Sequence, residues 1–283
     1  MLRNFIFIMI LLCAGGLPAC AEPVYTAHVR AELVTDVSSI APGEPFWVGL
    51  HMVMDEGWHT YWRNSGDSGM PTSIQWELPE GFKAGGIHWP LPKRFDYNDG
   101  LTGYGYDGET VLLTEMSVPA ALEAGSTVTV KAKVKWLSCA EICVPGKAEF
   151  SLALSVAEDG PVVRDDIRSL FDAQRKTLLV MKSDWRIEAA GKGDMFIFRL
   201  SSAGEQRNII KTAAFFPYRN DIIDHAAQQE FTDNDSGPAE LAVKRSSLSD
   251  ELVQDIRGVM VLEEITPAGK KREGIYVDVP VLE

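Results

Sequence analysis

Hydrophobic and polar residues alternate along most of this chain, and the alternation is clearest between residues 127 and 156. Val128, Val130, Ala132, Val134 and Trp136 take turns with Thr129, Lys131, Lys133 and Lys135, the period-2 pattern of a half-buried strand. Phe150, Leu152, Leu154 and Val156 repeat it, so the spacing predicts a long β-hairpin, with Pro145-Gly146 ending the connection. Shorter alternating runs follow from Val24 onward, including His28–Val34, Phe46–Met54 and Thr72–Leu78, each broken by turn residues. Runs of this kind at short spacing predict an antiparallel sandwich. Gly86–Pro92 is extended, because each proline biases its predecessor away from helix, and Lys93–Gly100 reads as a loop.

The period changes after Asp159-Gly-Pro161. Ile167, Leu170, Phe171, Gln174 and Leu178 fall at helical spacing within Val163–Met181, which predicts one connecting helix. Strand-like runs resume at Trp185–Glu188, Met195–Leu200, Ala213–Pro217, Glu240–Lys244, Gly258–Leu262 and Ile275–Val279. Polar loops separate them, and Gln229–Glu240 is acid-rich, the composition of a surface loop. The expected division is a leader at 1–21, a first β domain at 22–158, a connecting helix at 159–182 and a second β-sandwich domain at 183–283.

The leader changes the cysteine count. Arg3, the apolar run Phe5–Leu12 and Ala19-Cys20-Ala21 form the three regions of a secretory signal, cleaved after Ala21. The competing reading, lipoprotein processing before Cys20, is disfavoured by Pro18 in the position of the lipobox. Cys13 and Cys20 then leave with the signal, and Cys139 and Cys143 are the cysteines of an envelope protein in an oxidising, periplasmic compartment. A formal charge of −13 repels nucleic acid and anionic lipid. No Gly-x-Ser-x-Gly, His-Glu-x-x-His or Walker loop is present, which removes the common hydrolase signatures.

Cys139 and Cys143 therefore fall in the turn of the predicted hairpin, with three residues between them. The residues leave three uses open: a structural staple, a redox-active dithiol or a soft metal site. A ring this small stabilises by about 2 kcal/mol, against about 4.7 for a 100-residue loop, so a staple here would be a weak use of a bridge. A hairpin turn also lacks the helix amino terminus or adjacent cation that favours a thiolate, and Glu141 stands between the two. Such a pair exchanges chiefly when a docked partner supplies the more reactive sulfur. The metal reading would recruit His59, His88, Met52, Met54, Met70 or Met116 beside the cysteines to hold Cu(I), as in a copper chaperone. Trp58, Tyr61, Trp62, Trp76 and Trp89 could instead form a sugar-stacking platform, although aromatic residues more often anchor a sandwich core. His225 reads as a solvated loop residue.

The runs Trp136-Leu-Ser-Cys-Ala-Glu-Ile-Cys-Val-Pro145, Gly57-Trp-His-Thr-Tyr-Trp-Arg-Asn64 and Tyr104-Gly-Tyr-Asp-Gly108 resemble the amino-terminal periplasmic domain of DsbD-type thiol:disulfide interchange proteins. The longer ScsB-like variant, with a second β domain, is the nearer likeness, carried more weakly by Phe215-Phe-Pro217 and His225–Gln229. The resemblance implies an all-β protein of two immunoglobulin-like β-sandwich domains joined by a helical connector. It also implies that Cys139 and Cys143 are a redox pair that needs no cofactor or metal. Electrons would come from a membrane-embedded thiol donor on a separate chain and go to oxidised periplasmic thiol proteins, in settings such as cytochrome c biogenesis. An aromatic cap over the sulfurs would fall on Arg94-Phe-Asp-Tyr97, making Phe95 and Tyr97 the shielding residues, with Tyr104, Tyr106, Trp136 and Glu141 around the pair. This chain departs from the best-known members in having three residues, not five, between its cysteines.

Overall fold

The computed structural model describes residues 21–98, 100–180, 183–202, 209–234, 237–247, 253–266 and 269–282. Apart from Ala21, the leader lies outside these residues, as does Cys20. The alternating runs become two sheets in the first half of the chain. One has five strands in the order Val24–Thr26, Val29–Thr35, Phe46–Met54, Glu109–Ser117, Lys83–His88. The other has eight. Its path runs Val162–Val163, Val37–Ile40, Cys143–Val156, Thr127–Cys139, His59–Gly66, Thr102–Asp107, Lys93–Asp96, and Ser73–Glu77 pairs with Thr127–Cys139 off that path.

The hairpin shows why the pattern works. Val130, Ala132, Val134 and Trp136 are buried while Lys131, Lys133 and Lys135 face out, so one face joins a core with Leu33, Leu50 and Met52 from the opposing sheet. Each such side chain contributes roughly 1.5–3 kcal/mol by leaving water. Pro145 and Gly146 do not end the connection as expected; they lie inside the second strand, paired with Leu137 and Trp136. That strand's far edge is paired only at Ser155 and Val156, so a missing proline N–H costs no ladder bond at Pro145.

The helix is shorter than its periodicity predicts, spanning Asp165–Arg175. Val162–Val163 is instead a strand on Val37–Ile40. Asp165 and Asp166 in the first turn and Arg175 in the last match the helix dipole. More than a connector, the helix seals the outer face of the five-stranded sheet. Phe171 packs with Val34, Val111 and Leu113, and Gln174 Oε1 accepts the Val111 N–H at 2.9 Å. This cover explains the continuous buried run Thr110–Thr114, where simple alternation would leave every second residue exposed.

The second half forms a seven-stranded sheet in the order Ile209–Pro217, Asp255–Thr266, Gly269–Leu282, Trp185–Lys192, Met195–Ser202, Ala239–Lys244, Glu230–Thr232. Among the described residues its two antiparallel halves are paired through a short parallel contact, Ala189 with Val281 and Ala190 with Leu282. They enclose a separate core in which Phe198 and Phe215 rings lie 4.6 Å apart. The fold is all-β with sandwich-like sheets and one helix among the described residues, as the alternation led us to expect. Part of the acid-rich segment is strand, not loop, because Glu230–Thr232 pairs with Ala239–Lys244.

The two halves share buried surface. Phe216, Val259 and Val261 join the first core, and Trp62 and Tyr104 pack on Phe216 at 6.2 and 5.0 Å. Asn64 Nδ2 donates to the carbonyls of Pro217 and Arg219. His225, expected to be solvated, is buried here, bonded to the Tyr104 hydroxyl at 3.0 Å and to the Asn220 carbonyl at 2.8 Å. Among the described residues no helix is long and apolar enough to cross a membrane.

Candidate redox site

Register places Cys139 directly opposite Cys143 at the tip of the hairpin, with Cα atoms 4.2 Å apart and the sulfurs joined in a disulfide. Ala140, Glu141 and Ile142 form the turn between them, and Ile142 is 67% exposed. The sulfurs are not equivalent. Cys139 is 2% exposed, because its strand pairs on the other side with His59–Gly66, where His59 is its register partner. Cys143 is exposed, and among the described residues no strand pairs with it on its outer side.

An aromatic row lies beside the disulfide, starting from His59, the register partner of Cys139. His59 and Tyr61 project to the same face of their strand because they are two residues apart. Phe95 stacks on His59 with ring centroids 4.5 Å apart, and Tyr97 lies beyond it at 5.6 Å. The row is also hydrogen-bonded: His59 Nε2 meets the Tyr97 hydroxyl at 2.8 Å, Tyr97 donates to the Tyr61 hydroxyl at 3.4 Å, and Tyr61 reaches Cys143 Sγ at 3.7 Å. Because the Tyr97 hydrogen is committed to Tyr61, His59 Nε2–H is the donor to Tyr97. Burial drives the His59 pKa down to about 4, with the Asp107 carboxylate pulling the other way, so the ring is neutral at pH 7. Burial likewise raises Tyr61, partly offset by the hydrogen bond from Tyr97.

Two glycines make room for these rings. A Cβ on Gly103 would lie 2.1 Å from the Tyr97 hydroxyl, and one on Gly69, whose φ is +101°, would lie 2.2 Å from the Tyr61 ring. In front of the row is a cleft of about 460 Å³, lined by Tyr61, Ser68, Asp96, Tyr97, Asn98, Leu101 and Glu141 together with both cysteines. The charged residues in this lining are Asp96 and Glu141, with no lysine or arginine among them.

Of the residues singled out in the sequence, Cys139, Cys143, Tyr97 and Glu141 meet at the cleft, and Phe95 lies behind it on His59. Three others belong to the scaffold. Trp136 is buried against Gly146, where a Cβ would lie 2.3 Å from the indole, and its Nε1 has no partner among the described residues. Tyr106 donates to the Pro90 carbonyl at 2.9 Å from a buried position. Tyr104 bonds to His225 in the second half of the chain, and burial raises its pKa. The Arg94–Tyr97 segment, read as part of a loop, is mostly strand: Lys93–Asp96 pairs with Thr102–Asp107 at the sheet edge. Alternation cannot reveal so short and polar a strand.

His59 and Tyr61 were weighed in the sequence for copper and sugar, and the structure brings both to the disulfide instead. The remaining copper candidates are dispersed. Met52, Met54 and Met116 are core residues, Met70 is exposed, and His88 packs edge-on to Trp47. Among the described residues no three His, Cys, Asp or Glu side chains gather where they could hold a metal ion. The aromatic candidates scatter too: Trp62 is fully buried, Trp58 stacks on His28, and Trp76 and Trp89 pack against the first core.

Comparison with solved structures gives a likeness to the N-terminal periplasmic domain of ScsB from Proteus mirabilis, with a TM-score of 0.65 and 15% sequence identity over 92% of this chain and 98% of that one. At that identity the likeness concerns the fold, and it extends over most of both halves of the chain. The periplasmic chaperone SfaE also aligns, with a TM-score of 0.23 and 10% identity over 88% of this chain and 100% of that one, too slight a likeness to bear on the fold. A search of curated proteins finds no match. The family model described as "Thiol:disulfide interchange protein DsbD, N-terminal" matches residues 29–155, the span that contains the hairpin, both cysteines and the aromatic row. Residues 29–155 are therefore what this chain shares with the DsbD amino-terminal domain family.

Proposed function

We propose that this protein is a periplasmic thiol:disulfide interchange factor that relays electrons through Cys139 and Cys143 to oxidised envelope proteins. The observation that carries this is the unequal pair itself: Cys143 exposed to a partner, Cys139 buried. An incoming thiolate attacks Cys143 Sγ, the S–S bond breaks, and Cys139 leaves as a thiolate that takes up a proton. A second thiol of the donor then displaces Cys143, leaving the donor oxidised and the pair reduced. In the onward step the Cys143 thiolate attacks the client disulfide, and Cys139 resolves the mixed disulfide. A membrane-embedded dithiol donor and thioredoxin-like or other oxidised thiol clients are the partner classes that the family and this chemistry support. Phe95 and Tyr97 act as the cap, limiting attack to partners that displace Tyr97 from the cleft.

Single variants test the roles. Cys139→Ser should accumulate a mixed disulfide on Cys143 with a specific envelope protein, whereas Cys143→Ser should trap far less. Capture by neither variant, with both only lowering the melting temperature, would make the bridge a structural staple.

A further inference from the structure

We propose that Arg94 is a positioning residue through which the second domain holds Tyr97 across the disulfide, setting how readily a partner thiol reaches the sulfurs. The idea rests on the exchange reading above and adds a task for the second domain. Lys93–Asp96 is an edge strand of four residues with one neighbour, Thr102–Asp107, and so short a strand has little hold of its own. Its two faces look in different directions. Phe95 and then Tyr97 turn to His59 and the cleft, while Arg94 turns to the second domain.

There the guanidinium is saturated. Arg94 Nη1 donates to the His225 carbonyl at 2.8 Å and the Ala227 carbonyl at 3.2 Å, and Nη2 donates to the Ala226 carbonyl at 3.1 Å. The same Nη2 reaches Thr102 Oγ1 at 3.1 Å, and Nε reaches Asp96 Oδ1 at 2.7 Å. Three successive carbonyls thus converge on one planar fork, a geometry that the compact ammonium of lysine does not reproduce. The carbonyls are themselves fixed. His225 is bonded to Tyr104 and Asn220, and Asp224 accepts the Ala227 N–H at 3.1 Å while pairing with Lys244. On the other side of Arg94, the chain turns at once: Tyr97 N–H donates to the Leu101 carbonyl and Gly100 N–H to the Tyr97 carbonyl. Arg94 therefore grips the root of the turn that carries Tyr97, and the grip is anchored in a different domain.

The test is the rate at which dithiothreitol reduces the disulfide in the full chain, which reads access to the sulfurs without any protein partner. Arg94→Ala should raise that rate by about tenfold, the factor that ~1.4 kcal/mol of lost hold gives. Arg94→Lys should not restore the slow rate, and it serves alone if the alanine variant does not fold. In a Tyr97→Ala background, which already lacks the cap, Arg94→Ala should add nothing. Asn64→Ala loosens the same interface away from the cap and should lower stability while leaving reduction slow. An unchanged reduction rate in both Arg94 variants, or an equal rise in Asn64→Ala, would overturn the proposal. Failure to trap any protein client, with these rates still responding as described, would count against the interchange function and leave the role of Arg94 standing.

Discussion

Replacing Gly103 by alanine would test the aromatic row most directly. Gly103 lies in the strand Thr102–Asp107, opposite Phe95 on one side and Gly66 on the other. Its φ is outside the left-handed region, so alanine brings no backbone strain there. The added Cβ, however, would stand 2.1 Å from the Tyr97 hydroxyl and 2.9 Å from Cζ, and the tyrosine must swing away. It then gives up the 2.8 Å bond from His59 and the 3.4 Å bond to Tyr61. Losing two neutral hydrogen bonds costs about 1–2 kcal/mol, and stranding the buried His59 N–H adds about 1 kcal/mol or more. The smaller entropy of the unfolded alanine chain returns about 0.4–1 kcal/mol. A net loss of about 1–3 kcal/mol is expected in urea unfolding, together with faster reduction of the disulfide. The decisive measurement is a double-mutant cycle with Tyr97→Ala, because the three atoms nearest the new methyl all belong to the Tyr97 ring, and without that ring Gly103→Ala should lose most of its cost. An equal cost in both backgrounds would show that the methyl acts elsewhere and that Tyr97 is not seated as described.

Three further outcomes follow from the same geometry. His59 is neutral when folded, with a pKa of about 4, and takes up a proton near 6.5 when unfolded, so the unfolded chain binds more protons between those values. Stability should therefore fall by up to about 3 kcal/mol as pH drops from 6.5 to about 4 and should not fall further below that on this account. Unfolding curves that keep the same pH dependence in His59→Gln would remove His59 as the cause. Phe171→Ala should cost about 3–5 kcal/mol by emptying the seam between the helix and Val34, Val111 and Leu113, yet leave disulfide reduction unchanged because that seam lies on the other sheet. Gly146→Ala should cost about 1–3 kcal/mol by pressing a methyl into the buried Trp136 ring, and a wild-type melting temperature would contradict that packing.

What could be read from residues alone follows the range of the interaction. The hairpin was legible because its two arms, thirteen and fourteen residues long, alternate over most of their length and bury one face, from Val130 to Trp136 and from Ala148 to Val156. The helix was legible in kind but not in length, since Val162–Val163 is claimed by pairing with Val37–Ile40. The edge strand Lys93–Asp96 was read as loop because four residues, two of them basic and one acidic, carry too little pattern. The burial of His225 could not be foreseen, since it depends on Tyr104, 121 positions away. The spacing of His59 and Tyr61 did hold a usable signal, as both share a face two residues apart, but nothing local says what that face meets.

The sequence by itself placed Cys139 and Cys143 together in the turn of a hairpin, because local alternation marks both of its arms; the pairing register showed them to be its last facing pair, with Pro145 and Gly146 inside the second strand. By that logic the two sulfurs are equivalent. Only the tertiary structure made them unequal: His59–Gly66 is laid along the Cys139 side of the hairpin and brings the aromatic row with it, while the Cys143 strand keeps an open edge at the tip. That choice is made by pairing between segments more than seventy residues apart, and it decides which sulfur a partner can touch.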